Sequence, residues 1–397
     1  MPRNIYHSLL KRNINLYYAA EFFSFLNFFI PIWVAYERQF ISFTAIATIA
    51  GLRFVITTVL EVPTGALGDL LGRKWSVAIG FFAETIGLII VGLATNGTYI
   101  FIGALFRGAA DAFRSGSDTA LVYDSLKEIG ETEKFPEVKS KGTLAVQIAL
   151  ISSSILAGYL YNLNHSLPYF LYAFFLGVSG VIYFFMKEPK IDSEKFNIAN
   201  YLKQTKVGIQ RTFRNAYTAQ LSIFYSMVGG ISLAWQMFFN QIYASEIGYN
   251  EVEKSWLFAG IRLLNILILL RLLKSVKIAN KRNVFLLFPI LMLVSTLPAV
   301  FESMILGTML LIVATFVNTA RNVILDKLTN DEFDSKHRAT SISVLNLYVS
   351  TVYLIFVLAS GPIIDHMSMG SFYVIMGLIC LVLVVPQGIY LAKKHGN

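Results

Sequence analysis

The sequence predicts an all-α polytopic membrane protein with twelve transmembrane helices grouped as two six-helix bundles. Composition is the first reason: 55% of the 397 residues are apolar and only 14% charged, with a mean hydropathy of +0.60. A soluble domain carries about 25% charged residues. The second is segmentation, because the apolar residues fall into runs close to the ~20 that a helix needs to cross hydrocarbon. The third is charge placement. Of the 33 Lys and Arg, five arginines, Arg53, Arg107, Arg114, Arg262 and Arg321, lie well inside the runs, and only Arg38 and Lys254 fall on one of the two sides. That bias puts both termini in the cytoplasm, in a multi-pass inner cell membrane protein. The net charge of +9 is then a topology signal and not a nucleic-acid footprint.

The first run, 14–36, follows Lys11-Arg12 and precedes no small-residue cleavage site, so a retained helix is expected. Glu21 lies roughly 10 Å into it at 1.5 Å per residue, with no partner in its own helix. Such a carboxylate can load and unload protons. Asn27 is a candidate lining residue of the same run. The second run, 42–66, holds Arg53 and then Glu61, which precedes Pro63 near the cytoplasmic end and suits either coupling or the gate. The third, 75–95, contains Glu84. The fourth, 99–123, places Arg107, Asp111, Arg114 and Asp118 on one helical face by steps of four, three and four. They form either two ion pairs within the helix, or a site in which Arg107 binds substrate and Asp111 carries protons. A charge at a helix centre costs roughly 2.5–3.5 kcal/mol on insertion, so each is a functional candidate. Runs five and six, 142–162 and 167–186, carry no charge.

A polar stretch at 187–216 divides the chain into a bundle at 1–186, this cytoplasmic linker, and a bundle at 217–397. Ile198, Leu202, Ile209 and Phe213 share one helical face of the linker, as in an amphipathic helix lying on the membrane surface. The seventh run, 217–243, offers Tyr225, Trp235, Gln236 and Asn240 as lining residues. The eighth, 253–273, offers Arg262, beside Asn265. The ninth is 284–301. The tenth, 305–328, offers Asn318, Arg321 and Asn322, with Asp326 about a turn below and available to pair with Arg321. The eleventh and twelfth are 338–361 and 370–392. A weak repeat relates Asp124 to Asp326 at an offset of 202 residues, with a matching entry after each loop, Lys141-Gly142-Thr143 against Arg338-Ala339-Thr340, as parallel repeats would show.

Between runs two and three stands Gly65-Ala66-Leu67-Gly68-Asp69-Leu70-Leu71-Gly72-Arg73-Lys74. In that position of a six-plus-six chain it resembles the loop signature of the major facilitator superfamily. Glu61-Val62-Pro63-Thr64-Gly65 and the segment from Ser115 to Leu126 look like a bacterial, drug-efflux-like subgroup. The resemblance implies the major facilitator fold and a rocker-switch about one cavity lined by runs one, four, seven and ten. It also implies a gate built on Gly65, Asp69, Gly72, Arg73 and Asp124. There Asp69 would meet the start of run eleven near Arg338, and Arg73 would pair with Asp124. Three departures stand out. Leu70 replaces an arginine, Asp111 stands where glycine is usual, and 151–158 lacks the antiporter signature of Gly-Pro and paired glycines.

The five histidines have no metal-ligand spacing and Cys380 is alone, so no metal, no disulfide and no cofactor is expected. No phosphate loop, nucleophile elbow or zincin motif occurs, which argues against an enzyme. The expected function is secondary active transport, by proton-coupled export of a small amphipathic, drug-like compound. The alternative is a carrier for a specific anionic metabolite. A lesser one is a non-cycling sensor or lipid scramblase. Expected partners are a small-molecule substrate, protons and the lipid bilayer, with the protein a monomer.

Overall fold

The computed structural model describes residues 3–115, 117–190, 198–272, 280–333 and 338–395. Their regular structure is all helical, with no strand among the described residues, and they form two compact units. The first comprises residues 1–41 and 48–198, the second residues 42–47 and 199–397.

In the first unit α1 (Arg3–Ser24) ends early, a run of turns follows, and α2 (Trp33–Glu37) resumes the path. The continuous helix expected at 14–36 is therefore broken. Pro31 has no amide to donate and disfavours helical geometry at Ile30. Next come α3 (Phe43–Leu71), α4 (Arg73–Gly92), α5 (Gly97–Arg114), α6 (Ser117–Glu128), α7 (Phe135–Leu163) and α8 (Leu167–Phe185). Here too one expected helix is two, since the fourth run breaks after Arg114, where Ser115 is extended (ψ 113°). Asn13, fully buried, ties three elements together. Its side chain donates to Ser125 Oγ (3.0 Å) and the Lys187 carbonyl (2.8 Å) and accepts from the Lys187 amide (2.8 Å).

In the second unit α9 (Ile198–Thr212) lies against α15 (Arg338–Ile364), with Gly208 facing Thr340 and Val344. The seventh run is α10 (Ala216–Ala234), a π-helical turn (Trp235–Phe239) and α11 (Asn240–Glu246). Asn215 and Thr218 close a reciprocal capping box at the start of α10. Then follow α12 (Glu251–Leu272), α13 (Lys281–Thr296), α14 (Met304–Glu332), α16 (Met369–Leu383) and α17 (Val385–His395). The Asp365 carboxylate, just past α15, accepts from the amides of Phe43 (2.9 Å) and Thr44 (3.0 Å) and from Thr44 Oγ1 (2.6 Å). That cap on the first turn of α3 explains why residues 42–47 group with the second unit.

Ten described helical stretches are long and apolar enough to cross a bilayer. The other two crossings, α1 with α2 and α5 with α6, are the more highly charged ones; α5 alone holds Arg107, Asp111 and Arg114 in 18 residues. Helices α4 and α5 approach most closely at glycines, as small-residue packing in membranes favours. A Cβ on Gly103 would sit 2.4 Å from Val91 Cγ2 and 2.8 Å from the Gly87 carbonyl oxygen. The backbone contact cannot relax cheaply, so Gly103→Ala should cost about 1–3 kcal/mol and lower the melting temperature in detergent. Gly177→Ala, whose Cβ would meet only Thr85 at 3.9 Å, should leave it unchanged or raised; equal melting temperatures for both variants would refute this packing account.

Candidate functional site

The break between α1 and α2 lays polar and aromatic groups against α5 and α8. Phe29 stacks on Tyr169 at 5.0 Å, and Tyr169 packs on Tyr36 at 4.5 Å. Arg107 lies over the Phe29 ring, 5.0 Å from its centroid. Its Nε, the Tyr169 hydroxyl and the Asn27 Oδ1 are all buried without a hydrogen-bond partner among the described residues. Glu37 is only 5% exposed, and the charges acting on it are Arg107 and Arg53. This buried carboxylate is not among the residues expected from sequence. It sits next to Arg38 at the end of an apolar run, where a loop assignment is natural, and only the Pro31 break hints that the chain folds inward.

The charges of α5 pair across helices and not along their own helix. Arg53 on α3 reaches Asp111 through Nη2 (2.7 Å) and Nε (2.8 Å), and Arg114 reaches Glu84 on α4 (2.6 Å). Asp111 is thus engaged by a guanidinium. Glu21 is half-buried one turn before the helix break, with Asp118, Lys139 and Arg114 as the charges acting on it. Glu61 is exposed and accepts from Ser115 Oγ (2.8 Å).

In the loop segment Gly72 adopts φ +100°, a conformation for which glycine is suited. Gly65 is half-buried, and Arg73 forms an ion pair with Asp124. The Asp69 and Arg338 side chains lie outside the described residues, and so does their expected meeting. Glu188, a residue the sequence reading treats only as linker, accepts from the amides of Arg73 (2.8 Å) and Lys74 (3.0 Å). It caps the positive end of α4 and closes over Gly72, where an added Cβ would lie 3.1 Å from its carboxylate.

The second unit carries its polar cluster around the π-helical turn, a feature frequent at functional sites. Gln236 accepts from Asn318, whose Oδ1 takes Ser232 Oγ (3.3 Å). Asn240 donates to Thr315 (3.2 Å) and accepts from Tyr373 (2.7 Å). Trp235 is fully buried, and its Nε1 has no partner. Arg321, 7% exposed, lies over the Tyr225 ring at 5.3 Å and donates to Asn322 (2.5 Å), while its Nε and Nη1 have no hydrogen-bond partner among the described residues. Asp326 does not take up Arg321 in an ion pair among the described residues; its carboxylate accepts from Tyr225 Oη (2.6 Å) instead. Asn322 is exposed, and Arg262 is half-buried on α12. Thr315 and Tyr373 join the cluster unannounced, since a hydroxyl in an apolar run gives no sequence signal.

The model of the Major Facilitator Superfamily matches residues 16–325. The chain belongs to this superfamily. Among curated proteins it is 22% identical over 245 residues to the MFS-type transporter YxaM of Bacillus subtilis, covering 59% of each chain. It is also 22% identical over 218 residues to the probable nitrate transporter NarT of Staphylococcus epidermidis, covering 55% of this chain and 52% of that one. The chain thus spans little more than half the length of these relatives. Its fold is similar to the nucleoside transporter NupG, with TM-score 0.73 and 15% identity over 98% of this chain and 99% of the other. It is also similar to a bacterial homolog of the lysosomal transporter Spinster, with TM-score 0.70 and 11% identity over 98% and 97%. These relatives bear on the superfamily and the fold alone. They do not bear out the drug-efflux-like subgroup.

The pairing geometry makes a specific stability statement. Glu84 is buried against Arg114, so Glu84→Gln leaves an uncompensated guanidinium inside the bundle and should cost about 3 kcal/mol. Adding Arg114→Gln should recover most of the loss. Thermal unfolding of both variants checks this; a double variant no better than the single one would show that the pair is not coupled.

Proposed function

We propose that this superfamily transporter is a proton-coupled carrier of a small organic anion, working by a rocker-switch between its two units. Arg321 carries the reading. A buried guanidinium with two unpartnered N–H groups is costly unless something meets it, and a planar fork of donors suits a carboxylate or phosphate. Gln236, Asn318 and Asn240 would orient the rest of the solute, and the aromatic wall of Trp235 and Tyr373 suits a planar portion. In the first unit Arg107, over Phe29 with Nε unpartnered among the described residues, is a separate group with the same kind of unmet donor. Relatedness to a probable nitrate transporter supports recognition of an anion.

Protons would enter through Glu21 and Glu37, the first half-buried and the second buried, neither held by an ion pair among the described residues. Asp111 would join only on release from Arg53, and exposed Glu61 belongs with the gate. Arg73 with Asp124, Gly65, Gly72 and Asp69 would serve that gate. The chain would act as a monomer in a cell membrane with both termini cytoplasmic, a placement supported by its Lys and Arg bias. A second reading, proton-driven export of amphipathic compounds, draws on the same carboxylates and aromatic wall.

The test is a ligand screen on purified protein, followed by uptake in proteoliposomes with an imposed pH gradient. Small carboxylates and phosphates should bind, and Arg321→Gln should weaken that binding at least tenfold, about 1.4 kcal/mol. Unchanged affinity in Arg321→Gln would remove the anion reading. Glu21→Gln and Glu37→Gln, singly and together, should lower gradient-driven uptake while leaving exchange at equal pH intact. Gradient-driven uptake that survives the double replacement would exclude these carboxylates as the coupling groups.

A further inference from the structure

Outside the candidate site, an open apolar groove of about 710 Å³ runs between α4 and α8. Its walls include Phe82, Ile89, Phe174, Gly177, Val181 and Phe185, and the hydroxyl of its Thr85 is turned back to the Phe81 carbonyl (2.8 Å). Gly177 leaves the floor bare, since an added Cβ would meet only Thr85 at 3.9 Å.

Cations ring one end of this groove. Arg12 Nη2 donates to the Phe185 carbonyl (2.7 Å), and Lys74 Nζ to those of Phe184 (3.4 Å) and Met186 (3.3 Å). Lys187 and Lys190 lie over the Tyr6 ring at 5.9 and 5.2 Å. Arg12 and Lys74 are held by the open carbonyls at the end of α8, a position cations favour, and each keeps N–H groups for an anion. Trp75, 41% exposed, packs on Phe184, and Phe184 stacks on the groove wall at Phe82. Of the acidic neighbours, Glu188 is occupied by the α4 amides, and Glu128 by the Tyr6 hydroxyl (2.9 Å) and the Lys190 amide (2.7 Å). An indole beside cations at the end of a hydrocarbon-facing groove is the arrangement found at a membrane interface.

We propose that this groove binds one anionic phospholipid of the cytoplasmic leaflet, with an acyl chain along α4 and α8 and the phosphate between Arg12, Lys74, Lys187 and Lys190. The contribution of the two parts differs. Lipid already surrounds the protein, so filling the groove yields packing contacts that any acyl chain can make. Discrimination then comes from the cations, whose attraction to an anionic headgroup is additive and screened by salt.

Native mass spectrometry of the full chain in detergent tests this with phosphatidylglycerol against phosphatidylcholine of identical chains. The wild type should retain phosphatidylglycerol about tenfold more strongly. Arg12→Gln with Lys74→Gln should erase that preference, and Arg12→Lys with Lys74→Arg should keep it. Gly177→Leu, which fills the floor, should weaken both lipids alike. Raising ionic strength should abolish the preference in the wild type itself, a readout independent of whether any variant folds. Equal retention of both lipids by the wild type would overturn the proposal. So would a preference that resists salt, or displacement of the bound lipid by soluble glycerol phosphate, which would mark a phosphate site with no role for the groove.

Discussion

A hydrocarbon surrounding has no water to satisfy a stray polar group, and the organisation of this chain follows from that. Each charge in a crossing must find an opposite charge, a ring face or a ligand. Arg53 finds Asp111 and Arg114 finds Glu84, in both cases on a different helix. The pairs therefore stitch α3, α4 and α5 together and do not merely make one helix tolerable. Arg107 and Arg321 rest on aromatic faces with N–H groups left over among the described residues.

The same constraint explains where helices are interrupted. Backbone that leaves helical geometry at membrane depth is tolerated where protein or a wet cavity surrounds it. The turns between α1 and α2 meet that condition, packed among Tyr169, Tyr172 and Phe175. They also set Phe29 and Tyr36 against the one ring of Tyr169.

Much of the fold is legible in the sequence because bilayer thickness fixes span length and charge fixes loops. The apolar runs, the division near the linker and the loop segment with Gly72 all depend on local composition. The candidate residues are legible in a weaker sense. A charge in an apolar run announces itself, as Arg107 and Arg321 do, but its partner is a property of the tertiary packing. Hence Asp326, one turn from Arg321, is met by Tyr225 from α10, and Asp111 is met by Arg53 from α3. Glu37 and Glu188 are hidden for a related reason. Each looks like a loop acid, and only the folding-back of the chain buries the first and sets the second over the α4 amides.

The π-helical turn at Trp235–Phe239 has a consequence for how this crossing tolerates length change. A turn closed over five residues is an α-helix with one extra residue accommodated. Deleting a single residue there would let the helix regularise with little change of phase beyond it, whereas the same deletion in the regular turns of α10 would swing everything beyond by about 100°. Only the second change would carry Asn240 away from Tyr373 and Thr315. A one-residue length change should accordingly be better tolerated in this turn than in the regular helix before it.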